Sequence, residues 1–152
     1  MSMSEIVSGR HGPIIQFSVF SENKVGILSE IIGLLARQSV HVMALSSIDM
    51  ADSSILRVVV DDPDKTSELF EKAGHLYNRN DVLGVQMETA ADLARVLAAL
   101  LEAEINIHYL YPFVARPNGR CGLVLHLEDR ELAADALSLR GLTVIDQNDI
   151  SR

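Results

Sequence analysis

The chain carries two copies of one pattern, and this repeat restricts the possible folds more than any other feature. When Leu28 is set on Leu93, the apolar positions that follow coincide: Ile31, Ile32 and Leu35 fall on Val96, Leu97 and Leu100. Both quartets have the i, i+3, i+4, i+7 spacing of one helix face. In the same register Val40-His41-Val42 falls on Ile105-Asn106-Ile107, Leu45 on Leu110, and Val58-Val59-Val60 on Leu123-Val124-Leu125. The closing segments, Asn80-Asp81-Val82 and Asn148-Asp149-Ile150, also match, in a slightly longer register. A length of 152 residues, which by itself suggests one domain, thus divides into two units of near-equal size.

Each unit reads as strand, helix, strand, strand, helix, strand. In the first, Ile14 to Phe20 alternates as a strand, a helix runs from about Val25 to Gln38, and His41 to Asp49 is extended. A turn at Met50 to Ser53 leads to the β-branched strand Ile55 to Val60. Asp62 is the expected N-cap of a helix opening at Pro63 and stopping at Gly74. In the second unit the expected elements are a strand Val82 to Met87, a helix Ala90 to Ala103 and a strand Asn106 to Val114. A hairpin turn at Pro117-Asn118-Gly119, a strand Cys121 to Leu127, a helix Glu131 to Leu139 and a strand Leu142 to Gln147 complete it. The expected fold class is therefore α+β: two ferredoxin-like βαββαβ units, each a four-stranded antiparallel sheet with both helices on one face. The expected division is a flexible N-terminal segment over residues 1–12, the first unit over 13–81 and the second over 82–150. Pro112 lies in the second strand of the second unit, which this plan puts at a sheet edge, where a missing ladder donor is tolerated. Units this small need their exposed faces and edges covered by each other or by a second chain.

Composition narrows the function. There are 21 acidic and 13 basic residues, a net charge of −8, divided as −4 on residues 1–81 and −4 on 82–152. No basic patch or tail invites nucleic acid or an anionic membrane. One cysteine, Cys121, forms no internal disulfide, and the five histidines show no metal-ligand spacing, so neither a metal nor a cofactor is expected. The N-terminus lacks the apolar segment of a secretory signal, and the longest apolar run, Val96 to Leu101, is far too short to span a bilayer. The expected location is the cytoplasm. No catalytic triad, phosphate loop or dinucleotide fingerprint is present, and the acids gather at helix starts, as in Asp61-Asp62-Pro63-Asp64, so no enzyme activity is expected.

The stretch Phe20-Ser21-Glu22-Asn23-Lys24-Val25-Gly26-Ile27-Leu28 resembles the first loop of an ACT domain, where a strand enters an Asp/Asn-x-Pro-Gly-x-Leu turn and then a helix. Val25 replaces the family's proline, while Asn23, Gly26 and Leu28 fit. Ser39-Val40-His41-Val42 and Glu104-Ile105-Asn106-Ile107 resemble the segment that opens the family's second strand. The resemblance spans residues 13 to about 150 and is similar in layout to stand-alone tandem ACT proteins. It implies a non-catalytic regulatory protein that binds a small ligand, most often an amino acid, at an interface between ACT units. With no output domain in view, it would act in trans on a regulated enzyme, as a homodimer. The alternative is a structural oligomerisation module without ligand.

The resemblance also implies a site. The turn Asn23, Lys24, Val25, Gly26, Ile27 and Leu28 would present backbone N–H groups at a helix N-terminus, where a carboxylate is well received. Asn23 and His41 or Asn106 would hold the α-amino group or the ligand side chain. Tyr109 and Tyr111, which share a strand face with Phe113, would line a site at the boundary between the units, facing the first unit's turn. Each residue also has a plain structural use: Asn23 as a helix cap, Gly26 as relief from crowding, His41 and Asn106 as partners for strand-end backbone, the tyrosines as packing. The second unit's turn, Met87-Glu88-Thr89-Ala90-Ala91-Asp92-Leu93, has no glycine, and Glu88 and Asp92 would repel a carboxylate. One binding turn per chain is expected, not two.

Overall fold

The computed structural model describes residues 12–22 and 25–151. The elements run β1 (Ile14–Glu22), α1 (Ile27–Arg37), β2 (Val42–Asp49), β3 (Ser53–Val60), α2 (Pro63–Ala73), β4 (Leu76–Met87), α3 (Asp92–Glu102), β5 (Ile107–Pro112), β6 (Cys121–Leu127), α4 (Arg130–Leu139), β7 (Thr143–Ile145) and a short α5 (Gln147–Ile150). The fold is a pair of βαββαβ units, as the repeat requires. In the first, the strands lie in the order β2-β3-β1-β4; in the second, β5-β6-β4-β7, all pairs antiparallel.

Strand β4 belongs to both sheets. Residues Leu76 to Val82 pair with β1, and Leu83 to Met87 pair with β6. The boundary expected at 81/82 therefore falls inside a continuous strand. Strand β7 lies against Gly84 to Gln86 and points the same way as β1, with Gln147 N–H donating to Pro13 C=O at 3.1 Å. Gly84 sits where these segments converge. A Cβ there would overlap Ile14 Cδ1 and lie 2.7 Å from Ile145 Cγ1, so only glycine lets them meet.

Local chemistry sets the element ends. The Asp62 side chain accepts from Lys65 N at 3.2 Å, with Pro63 in the first turn, and Asp129 caps α4 in the same way. All four long helices finish in the same two-bond C-terminal motif. In α2 and α4 the left-handed residue is Gly74 or Gly141; in α1 and α3 it is Ser39 (φ 59°) or Glu104 (φ 56°). The expected last strand, Leu142 to Gln147, is shorter than its pattern. Asp146 and Asp149 cap one another's backbone N–H groups in a capping box and turn the chain into α5. The Asn118-Gly119 turn has left-handed backbone at both residues, within a connection, 113–120, that is longer than expected because the strand expected to reach Val114 ends at Pro112.

The core has three parts. Phe17, Ile31, Leu35, Leu56, Val58 and Phe70 lie between the first sheet and its helices, with Phe17 and Phe70 edge-to-face at 5.7 Å. Leu83, Val85, Val96, Leu100, Leu125 and Leu137 form the equivalent layer of the second unit. The third part joins the helix-free faces: Ile14, Ala44, Val59 and Val82 meet Tyr111, Val124 and Ile145. The two sheets thus pack on each other, with helices on the outer surfaces. Ala44 bridges Phe113, and Met43 C=O accepts from Val114 and Ala115 N–H, stitching β2 to the segment after β5. The buried helix stripe is Ile27-Ile31-Leu35, and Val96-Ala99-Leu100 in the second unit. Leu28, Leu93 and Leu97, which the spacing places on the inner face, sit at its rim, more than a third exposed.

Candidate functional site

The β1–α1 turn opens on a cleft. Gly26 has φ 87°, a left-handed conformation that side chains resist, and its carbonyl accepts the first helical bond from Glu30 N at 2.9 Å. Helix geometry leaves the N–H groups of Ile27, Leu28 and Ser29 without intrahelical acceptors, and among the described residues no side chain caps them. A cleft of about 340 Å³ lies against this end of α1, lined by Gly26, Ile27, Leu28, Ser29, Ser47, Asp49 and Ser54. One rim therefore offers N–H donors and the positive end of a helix, and β2 offers the Asp49 carboxylate and the Ser47 hydroxyl. Behind the turn, a smaller cleft of about 230 Å³ carries Glu22 and Glu30, which disfavour an anion. Val25 is fully exposed. Asn23 and Lys24 lie outside the described residues.

The second unit closes the matching turn with its own side chain. The Asp92 carboxylate accepts from Glu88 N at 2.9 Å and Thr89 N at 3.5 Å, and pairs with Arg95 at 3.0 Å. Ala91 N–H donates to the Thr89 hydroxyl, and Arg120 pairs with Glu88. The register of the repeat sets Asp92 on Ile27, so one unit places an apolar side chain where the other places an internal anion.

His41 and Asn106 occupy equivalent positions and do the same work. His41 N–H donates to Asp61 Oδ1 at 2.8 Å, its ring Nδ1 lies 2.8 Å from Asp61 Oδ2, and its carbonyl accepts from Asp61 N. Asn106 N–H donates to Glu128 Oε1 at 2.9 Å, and its carbonyl accepts from Glu128 N. Each pair ties the start of an edge strand to the end of its neighbour. Neither residue lines the Gly26 cleft.

Tyr109 and Tyr111 lie between the sheets, not at the turn. Tyr111 is buried and donates to Gln16 Oε1 at 2.6 Å; burial holds its phenol well above the usual range, so it stays a neutral donor. Gln16 Nε2 donates to Tyr109 Oη at 2.7 Å. The tyrosines thus satisfy a buried glutamine of β1, which sequence reasoning missed because Gln16 looks like an outward-facing polar position in an alternating strand. The cleft at the first turn is built from the first unit alone, and the sequence-predicted residues are spread over three places: the turn, two strand starts and the inter-sheet layer. Asp49, Ser47 and Ser54, which sequence reasoning also missed, complete the turn cleft. Their only sequence signal is position, since β2 and β3 run beside the end of α1 in this topology.

Among the described residues no cluster of ligating side chains could hold a metal, and no helix is long and apolar enough to cross a membrane.

Comparison with known proteins agrees with this architecture. The family model described as "ACT domain pair" matches residues 13–152. A crystal structure of a protein from Bacteroides thetaiotaomicron superposes with a TM-score of 0.82 at 28% identity, covering 92% of this chain and 96% of that one. The ligand-free regulatory subunit of aspartate kinase from Thermus thermophilus gives 0.61 at 15% identity, with coverage of 84% and 92%. The corresponding subunit from Thermus flavus gives 0.56 at 16% identity, again covering 84% and 92%. No curated protein matches.

Proposed function

Since the chain belongs to the ACT family, as a domain pair, we propose that it is a non-catalytic regulatory protein whose Gly26 turn binds an α-amino acid. The contrast between the two turns carries this reading. In the second unit the matching N–H groups of Asp92 and Leu93 donate to Thr89 and Ala90 C=O at 3.0 and 3.1 Å, while among the described residues no side chain caps those of Ile27 and Leu28, which border a cleft. A free amino acid complements that cleft at both ends. Its carboxylate meets the helix N-terminus and its ammonium meets Asp49, while Gly26 lets the ligand approach the backbone closely. A volume of about 340 Å³ suits a ligand of this size.

The protein acts in trans in the cytoplasm, passing occupancy to a regulated enzyme; the aspartate kinase regulatory subunits, which share the fold, are named as chains of that kind. A homodimer completes the site. Val25, Leu28, Ile48 and Met50 are exposed around the cleft, and β2 pairs only with β3 through Leu45 to Asp49. A second copy laid along that edge would cover them and set the ligand between ACT units of two chains. Neither nucleic acid nor membrane is a partner. These same exposed groups favour the second reading, in which the dimer forms without a ligand.

Melting the protein with each of the twenty amino acids separates the two readings. A ligand at 100 times its Kd adds about 2.7 kcal/mol, a Tm rise of roughly 5–10 °C for a chain of this size. Asp49→Asn should abolish the rise without lowering the unliganded Tm. Flat melting curves with all twenty leave only the structural reading.

A further inference from the structure

Where the two sheets diverge beyond their shared apolar layer, a second cleft of about 260 Å³ opens between the units. Ser18, Arg57, Asn78 and Asn80 enter it from the first sheet, Tyr109 and His126 from the second. None of these residues lines the Gly26 cleft.

Its lining has the chemistry of an anion receptor. Arg57 stands mid-strand on β3, half-buried, with its guanidinium 3.7 Å above the Tyr109 ring. Arg79, Arg95, Arg120 and Arg140 all pair with carboxylates. Among the described residues Arg57 has no carboxylate partner, although acids outnumber bases by 21 to 13 in the chain; Arg37 and Arg116, which also have none, are exposed, whereas Arg57 is half-buried. The neighbours add donors and bring no competing charge. Register puts Ser18 beside both Arg57 and Asn78. Asn80 Oδ1 is already taken by the Ser18 hydroxyl at 3.0 Å, which leaves the Asn80 amide N–H groups for another acceptor. The opposite wall is flat: Tyr109 stacks on His126 with ring centroids 4.8 Å apart and planes 8° from parallel. His126 Nδ1 is shielded from solvent and among the described residues has no hydrogen-bond partner. A half-buried guanidinium with several unfilled donors needs acceptors in bidentate geometry, which a carboxylate supplies.

We propose that this inter-sheet cleft is a second ligand site, which takes a small carboxylate-bearing metabolite on Arg57, with Asn78 and Asn80 as further donors and the Tyr109–His126 stack as its wall. The volume suits a compact acid. Both units contribute, so occupancy ties the first sheet to the second and adds to whatever the Gly26 cleft reports.

The test is amide and side-chain NMR on the full chain with succinate as probe and inorganic phosphate as comparison. Millimolar succinate should shift the Arg57 Nε–H and the Ser18 and Asn80 amides saturably. Arg57→Gln should weaken this by about tenfold or more, and Arg57→Lys by less. Asn80→Asp leaves the Arg57–Tyr109 contact in place and puts a negative charge in the cleft; it should also weaken binding about tenfold. Asp49→Asn should leave the shifts unchanged, which separates this site from the Gly26 cleft. Absent shifts, or shifts that survive both Arg57→Gln and Asn80→Asp, overturn the proposal. Binding of phosphate without succinate overturns the carboxylate assignment.

Discussion

Asp92→Ala tests the asymmetry between the two turns on which the functional reading rests. The Asp92 side chain is 14% exposed and makes one short bond to Glu88 N, one long bond to Thr89 N and one ion pair with Arg95. Loss of a turn-capping acceptor costs about 1 kcal/mol. The 3.5 Å bond adds little, and the Arg95 guanidinium is half exposed, so that pair contributes at most a few tenths of a kcal/mol. The expected destabilisation is about 1–1.5 kcal/mol. With a urea m-value of roughly 2 kcal/mol/M, the midpoint should fall by about 0.5–0.75 M at unchanged slope. Asp92→Asn keeps an acceptor for Glu88 N and should lose about half as much. Calorimetric titration of the wild type with whichever amino acid raises its Tm should give one site per chain at the turns. An unchanged urea midpoint in Asp92→Ala would show that Asp92 does not hold the second turn closed. Two equivalent turn sites in the wild type would rule out a functional difference between the two turns.

Three further outcomes follow from the packing. Gly84→Ala drives a methyl into the fully buried Ile14 and Ile145 and should cost about 3 kcal/mol by urea unfolding; Ile14→Val removes the nearest atom and should recover part of that in the double variant, so strictly additive effects would contradict the clash. Ser39→Gly and Glu104→Gly each relieve a left-handed backbone at a helix end and should raise stability by about 0.5 kcal/mol, independently of one another. Burial, His108 and Arg57 lower the His126 pKa below 6.5 in the folded state; its stabilisation is complete above the unfolded pKa and lost as pH falls through the folded one, so His126→Gln should flatten the decline of stability just below pH 6.5.

The repeat was legible because helix faces and buried strands leave periodic apolar traces, and these survive in both copies. Asp62, Pro63 and Gly74 marked α2 as they stand in the structure. Three things left no such trace. Strand β4 reads as two strands, since its middle, Asn80-Asp81-Val82, changes partner from one sheet to the other. The short α5 depends on a reciprocal pair of aspartates, Asp146 and Asp149, that cuts the last strand short. Gln16 and Arg57 look like solvent-facing polar residues in alternating strands, and they face a second sheet whose approach depends on long-range topology. The site was legible to the extent that it is local. Gly26 announces a turn with left-handed backbone; Asp49 joins it only through the pairing of β2 with β3.

Comparing the copies position by position sorts structural residues from functional ones without any third sequence. Where both copies agree in geometry, the feature serves the fold. Ser39 and Glu104 end the first helix of each unit in the same way, His41–Asp61 and Asn106–Glu128 clamp the same strand start, and β2 and β5 bulge at Met43 and His108. None of these needs a ligand to account for it, because the same constraint acts twice. Where the copies differ, selection for the fold alone does not require the difference. The second turn is closed by Asp92, whose capping bond contributes about 1 kcal/mol. The turn that keeps Gly26 instead carries Ile27, and among the described residues no side chain caps the N–H groups at the start of α1 beside Asp49. Arg57 repeats the argument: the register of the repeat sets it on Gly122, whose helix-free face is filled by Phe113 and Pro117. One copy covers that face with its own chain, and the other presents a guanidinium to a cleft. Stability forgone in one copy and secured in the other is what the proposed binding function asks of a duplicated fold.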